Sequence, residues 1–365
     1  MFSFSKTDKV LVVAPHPDDE SLGTGGLLQR AFAKKIPVRI VFATSGENNP
    51  WAQRYWERRW RISTDDRARW GQRRREEAIN AIRTLGGEPG SAKFLNLPDL
   101  GTTDLLMQGG AELPVLLSDE LQEWEPTMAF IPTMLDAHPD HSALSTALSM
   151  AFDSVEGSSI RAWEYLVHRP HVPIGHQPVK LFLSAEEVAR KKRAILCHET
   201  QVALSRARFT DFARIEETYY PHQSAKIKNY DEPLVSARLH EGVLRLQFKA
   251  SRSERFHSEI LLAFRSGSET EHRWRLPVPI RSGRAQIWDT ISSRAVDEAI
   301  AQWVGSTLLV DIPLPDTSNF DAIYAKLSGA TLFFDRSGWS QFAILAGREQ
   351  SHFQRTNVPK LVTHS

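Results

Sequence analysis

Cysteine is nearly missing: Cys197 is the only one in 365 residues. That excludes an intramolecular disulfide framework and any Cys-rich zinc or iron–sulfur site. Long apolar runs are missing as well. The longest hold about five residues, as in Val10–Ala14 and Ile260–Phe264, whereas a membrane span needs roughly 18 or more. The stretch Met1–Lys9 lacks the apolar core of a signal peptide, so the cytoplasm is the expected compartment. No charge of one sign dominates: 45 Lys+Arg against 44 Asp+Glu leave +1. Such a balance gives no global attraction to nucleic acid or to an acidic membrane, and no nucleic-acid partner is expected. What is present is an ordinary globular mixture, 41% hydrophobic and 24% charged, in a chain long enough for two or three domains.

Along the first half, short apolar runs alternate with helical stretches. Lys9–Ala14, Val38–Ala43, Lys93–Leu97, Met128–Ile131 and Ile160–Val167 read as strands, several of them buried on both faces. Leu22–Lys35, Gln72–Leu85, Leu113–Trp124 and Ser142–Phe152 read as helices; Ala78, Ile79, Ile82 and Leu85 share one stripe and Gly86-Gly87 stops it. The alternation predicts an α/β fold, a Rossmann-like, mostly parallel sheet with helices on both faces. Near residue 230 the pattern changes. Leu234–His240, Val243–Lys249, Ile260–Arg265, Trp274–Ile280, Ala285–Trp288, Thr307–Ile312 and Ala330–Phe334 read as short strands, and only Val296–Trp303 as a helix. The expected division is residues 1–228, then a β-rich, sandwich-like domain over 229–365. Its aromatics (Phe248, Trp274, Trp288, Phe333, Phe334, Trp339) suit a sandwich core better than a sugar-binding face.

Two turns carry the chemistry. Pro15-His16-Pro17-Asp18-Asp19-Glu20 follows the first strand, and His138-Pro139-Asp140-His141 follows a later one. Ligands of parallel sheets gather at strand carboxyl ends, where both turns fall. His16, one of Asp18 and Asp19, and one of His138 and His141 make a three-ligand site with an open position, the pattern of catalytic zinc. Magnesium would prefer an all-oxygen set, which three histidines argue against. The prolines restrict the turn and preorganise it.

These two turns, set in the strand–helix frame, resemble the PIG-L / LmbE-like zinc-dependent de-N-acetylases over roughly residues 9–205. The resemblance implies a hydrolase that removes an acetyl or similar acyl group from an amino sugar or glycoconjugate, with one zinc ion per site. His16, Asp19 and His141 match the metal ligands. Asp18 matches the base that activates the attacking water, His138 the residue that stabilises the oxyanion or protonates the leaving amine, and Asp140 a carboxylate that orients a catalytic histidine. The chemistry agrees with those roles: adjacent Asp18 and Asp19 point apart, and a carboxylate beside His138 would raise its pKa and fix its tautomer. Glu47, Arg74 and Asp99 match substrate-binding positions, although Arg75 competes with Arg74 for its register. His198-Glu199-Thr200-Gln201 resembles a late segment near the site, with a structural helix end as the other reading. A glycan-binding protein with a vestigial metal site, or a metal-dependent phosphoesterase, are the alternatives.

Two further features invite a function. Gly23-Thr24-Gly25-Gly26 suggests a dinucleotide loop, but Leu28 stands where the fingerprint needs its third glycine; close helix–strand packing is the better explanation. The segment 51–75 carries nine arginines and four tryptophans. It reads as an amphipathic surface helix, as a lid over a substrate that carries phosphate, or as a single-strand nucleic-acid platform. The sequence sets no oligomeric state.

Overall fold

The computed structural model describes residues 4–108, 112–154, 160–168, 177–222, 233–250, 258–266, 272–314, 320–329, 334–335 and 338–343. The first half runs β1 (Val10–Ala14), α1 (Asp19–Ala33), β2 (Val38–Thr44), α2 (Pro50–Glu57), α3 (Thr64–Leu85), β3 (Ala92–Leu97), α4 (Thr102–Gln108), α5 (Glu112–Trp124), β4 (Met128–Pro132), α6 (Pro139–Ser154), β5 (Arg161–Tyr165), β6 (Val179–Phe182), α7 (Ala185–Leu196), α8 (Glu199–Val202), α9 (Arg206–Thr210) and β7 (Glu216–Pro221). Its seven strands are ordered β3-β2-β1-β4-β5-β7-β6. The first five pair in parallel; β7 runs antiparallel to β5 and β6. The order reverses between β1 and β4, and such a switch point opens a crevice at the strand carboxyl ends.

β1 explains the two-sided burial. Val10, Val12 and Ala14 join one core with residues of α1, α3 and α7, while Leu11 and Val13 join another with α4, α5 and α6. Alternate side chains of a strand point to opposite faces, so a strand covered on both sides is apolar throughout. The glycines of α1 serve packing. A Cβ on Gly23 would lie 2.4 Å from the Tyr165 ring, and one on Gly26 2.4 Å from Leu183.

The second half is β-rich: β8 (Leu234–His240), β9 (Val243–Lys249), β10 (Glu259–Ser266), β11 (Arg273–Pro277), β12 (Gly283–Asp289), β13 (Arg294–Val304), β14 (Thr307–Pro313), β15 (Phe320–Ser328) and β16 (Ser340–Ala343). They form one antiparallel sheet, β16-β15-β10-β11-β12-β13-β14-β9-β8. One core draws on strands from both ends of that order, so the sheet curls around it. Phe248, Trp274 and Trp339 are buried, whereas Trp288 and Phe334 are exposed. Phe333, and with it most of the expected strand Ala330–Phe334, lies outside the described residues.

The expected helix Val296–Trp303 is wrong: these residues belong to strand β13. Val296, Ile300 and Trp303 are spaced like a helical stripe, but Val296 and Ile300 face solvent and the buried residues are Ala299 and Ala301. Pairing with β12 and β14 overrides the local preference of an Ala- and Glu-containing segment. β10 and β15 also sit between two layers. Leu261, Ala263, Ala322 and Tyr324 pack with α4, α5 and α6, while Ile260, Leu262, Phe264 and Ile323 face the curled core.

Candidate active site

β1 delivers Pro15-His16-Pro17 to the crevice, and α1 starts at Asp19, whose carboxylate accepts the His16 backbone N–H at 2.9 Å. After β4, the loop before α6 delivers His138, and the first turn of α6 carries Asp140 and His141. The two turns meet. His16 Nδ1 lies 3.2 Å from Asp19 Oδ2, His141 Nε2 3.1 Å from the same oxygen, and the two ring nitrogens 3.3 Å apart. Tetrahedral coordination at about 2.0–2.1 Å gives ligand–ligand edges of about 3.3–3.4 Å, so this donor triangle fits zinc. Asp19 Oδ1 is buried and finds no hydrogen-bond partner among the described residues, as expected of a carboxylate meant for a cation. Other sets of side chains overlap it: His16, His138 and His141; Asp19, His141 and His168; and His16, Asp99 and Asp140.

The outer nitrogens face carboxylates. His16 Nε2 is 3.2 Å from both Asp140 Oδ2 and Asp99 Oδ1, and His141 Nδ1 is 3.2 Å from Asp136 Oδ2. Carboxylates behind ligating imidazoles fix ring orientation and tautomer. They also set the charges. Burial opposes a charged His16, but Asp140, Asp19 and Asp99 hold its pKa well above the usual histidine range. Burial likewise works against charge on His141, yet Asp19 and Asp136 push it up to about 9. Burial would favour a protonated Asp19, but His141 and His16 hold it well below the carboxylate range.

Asp18 takes the opposite course. Burial pushes its carboxyl up to about 6, with the Arg74 guanidinium pulling down and Asp19 pushing up. Its backbone has φ 149°, outside the usual region for a residue with a side chain. Neighbours hold it there: Glu20 accepts the Asp18 N–H at 3.0 Å, and Arg74 donates to Pro17 O at 2.9 Å and to Asp18 Oδ2 at 3.3 Å.

His138 departs from expectation. Its pKa lies well below the usual range, because burial and the charges of His16 and His141 outweigh Asp140. The Asp140 carboxylate turns instead to His16, the Leu100 and Thr102 N–H groups and the Thr102 hydroxyl. It is the Asp140 backbone N–H that donates to His138 Nδ1, at 3.2 Å. A neutral His138 therefore carries its proton on Nε2 and can donate from it. His16, Asp18 and His138 line a cavity of about 250 Å³.

The model of the PIG-L family, GlcNAc-PI de-N-acetylase, matches residues 11–152. These residues form a PIG-L domain. The chain is 26% identical over 170 residues to 1D-myo-inositol 2-acetamido-2-deoxy-alpha-D-glucopyranoside deacetylase of Nocardia farcinica, covering 43% of this chain and 55% of that protein. It is 28% identical over 205 residues to a Bacillus anthracis protein named probable N-acetyl-alpha-D-glucosaminyl L-malate deacetylase 2, covering 53% and 81%. The match thus spans about half the length of the first relative. A crystal structure of A40926 pseudoaglycone deacetylase overlays with a TM-score of 0.46 and 22% identity, over 60% of this chain and 97% of that one.

Around the PIG-L domain's cavity, the expected substrate residues divide. Arg74 and Asp99 line it, but Arg74 is 3% exposed and its two Nη groups donate to Gly46, Pro17 and Asp18. Arg75 turns to Ser45 and Asn96 and lies over Phe94. Glu47 accepts the Asp99 N–H at 2.9 Å and so supports the wall. His198, 1% exposed, reaches Glu20 at 2.9 Å, and Gln201 lines the cavity beside Asn49. In the Arg/Trp segment the tryptophans separate: Trp51 lines the cavity, Trp70 is core, Trp56 lies under Arg73, and Trp60 is exposed. Cys197 is half-buried and free. Sequence reasoning missed Asp136 and His168. His168, brought down to about 4 chiefly by burial, meets His141 edge-on with ring centroids 4.7 Å apart. The available signal was an acid two residues before His138.

Proposed function

We propose that the protein is a zinc-dependent N-deacetylase acting on an N-acetylated amino sugar or glycoconjugate. The observation that carries this is the His16–Asp19–His141 triangle at the β1/β4 switch point, with Asp18 and His138 beside it facing one cavity. The names of the relatives, deacetylases of N-acetylglucosamine derivatives, support the same reading.

His16 Nδ1, Asp19 Oδ2 and His141 Nε2 would hold one Zn²⁺, which when bound polarises the amide carbonyl and acidifies the attacking water. Asp18, buried with a pKa near 6, accepts the proton from that water; a base poised close to neutrality suits the task. The neutral His138 donates a hydrogen bond from Nε2 to the developing oxyanion, and the proton taken up by Asp18 passes to the departing nitrogen. Asp140 and Asp136 hold the two ligating rings. At the mouth, Trp51 under Arg54, together with Arg208, offers an aromatic face and cations to a substrate that carries phosphate. Glu47, Arg74 and Asp99 shape the sugar-facing wall. The cytoplasm is the proposed compartment, where a free thiol such as Cys197 stays reduced.

The test is elemental analysis of the purified protein together with acetate release from N-acetylated sugars, nucleotide sugars and lipid-linked sugars in added zinc. Zinc with acetate release supports the proposal. Sugar binding without turnover would make the chain a glycan-binding protein, and phosphate release without acetate would make it a phosphoesterase. Asp18→Asn should keep zinc but lose about 10²–10⁴-fold in kcat, and His141→Ala should lose both metal and turnover. Near-normal deacetylation by Asp18→Asn would remove the base assignment.

A further inference from the structure

One wall of the cavity comes from the second sheet. Phe334, between β15 and β16, lines it and is 39% exposed. Its ring centroid lies 5.6 Å from His138 at 81° and 5.3 Å from His168 at 53°.

The backbone beside Phe334 is tied to the loop that carries His138. The Asp335 N–H donates to Ala137 O at 2.8 Å, and the Trp339 N–H to Met134 O at 2.9 Å. Trp339 is fully buried in the core that β10 and β15 share with the PIG-L domain. At Gly338 a Cβ would fall 1.9 Å from Met134 O, so only glycine permits this approach. The Asp335 carboxylate meets the fully buried Lys326 Nζ at 2.6 Å, and the same ammonium donates to Ser142 Oγ at 3.2 Å. Ser142 follows His141 in α6. One cation of β15 is thus tied to the neighbours of both Phe334 and a candidate metal ligand.

A half-exposed aromatic ring held this firmly beside a reactive histidine is a binding surface, because pockets use such rings for the apolar parts of a ligand. Its place says which part. His138 and Phe334 line the same cavity with their rings 5.6 Å apart, so a sugar ring whose N-acetyl group reaches His138 comes within reach of Phe334. We infer that Phe334 is a specificity-determining residue of the deacetylase site, contributed by the β-rich domain, which packs against the apolar C–H face of the amino-sugar ring. This rests on the deacetylase reading. Phe334 and Leu100 also line an adjoining groove, together with Arg275 and Glu259. Phe334 is therefore part of the wall shared by the two spaces, and its removal widens the sugar site.

The experiment compares the full-length wild type with Phe334→Ala and Phe334→Tyr, using N-acetylglucosamine for turnover and glucosamine for calorimetric binding. Phe334→Ala should raise KM about tenfold or more, the usual effect of losing one apolar contact, with kcat within about threefold, and should weaken glucosamine binding by a similar factor. Phe334→Tyr should restore most of both. Equal zinc content and thermal midpoint in all three proteins show that the change is local. If the wild type releases acetate and Phe334→Ala keeps its KM within twofold, the inference fails while the deacetylase reading stands. If no acetate is released but glucosamine binding still depends on Phe334, the reading fails and the contact stands. Absence of both turnover and binding overturns both.

Discussion

Among the described residues, Asp136 has His141 as its ion-pair partner. It accepts the N–H groups of His138 at 2.9 Å, Val167 at 3.2 Å and His168 at 3.1 Å, while its carboxylate faces His141 Nδ1. One side chain thus shapes the loop and aims a candidate ligand. Asp136→Asn should lower zinc affinity about 10–100-fold, the usual loss when a carboxylate behind a ligating histidine is removed. Competition against a chromogenic chelator measures this, and unchanged affinity would assign the aim of His141 to packing alone. The two His/Asp turns were legible in the sequence because each places several ligand types within a few consecutive residues. Which acid stands behind which ring was not. Asp140 adjoins His141 in sequence, yet its carboxylate serves His16 from 124 residues away, and that is decided only when α6 docks against β1.

At the scale of elements, α3 shows how a helix start can hide. Its end was readable from Gly86-Gly87: Gly86 adopts φ 98° and donates its N–H to Arg83 O, and the Gly87 N–H donates to Ile82 O. The expected start at Gln72 was eight residues late, because the run of arginines masks the capping box of Ser63 and Asp66. Ser63 and the Arg69 guanidinium hold the Asp66 carboxyl below its usual range. A group whose pKa is depressed by folding contributes stability above its unfolded value, about 3.9, and loses it as pH falls through the folded value. Ser63→Ala should cost about 1 kcal/mol in urea unfolding at pH 7. Asp66→Asn should also be less stable than wild type there, with the gap narrower at pH 3 and closing only below the folded value. A gap that is as wide at pH 3 would mean that the carboxylate charge plays no part in the cap. β13 shows the converse error, a helical spacing of apolar residues in a segment whose strand pairing was set by distant partners.

The whole molecule is joined where β10 and β15 meet the helices of the PIG-L domain. Besides the apolar seam, Arg273 donates to Leu106 O at 3.0 Å, and Arg275 pairs with Asp104 at 2.6 Å. The sequence expectation of two regions of different character follows the two sheets, but the seam was not visible in it. An apolar run such as Ile260–Phe264 looks the same whether its second face meets its own domain or another. Trp339→Ala should destabilise the protein by about 3–5 kcal/mol, the cost of emptying a large buried site, as read from the denaturation midpoint. A loss below about 1 kcal/mol would mean that the ring is not part of the shared core.

That seam also bears on the chain's fate during synthesis. A ribosome releases the PIG-L half long before β10 and β15 emerge, and until then the outer flank of α4–α6 has no cover. A chain cut short near residue 230 would leave exposed the apolar surface of α4–α6 that Leu261, Ala263, Ala322 and Tyr324 otherwise cover, and so would tend to aggregate.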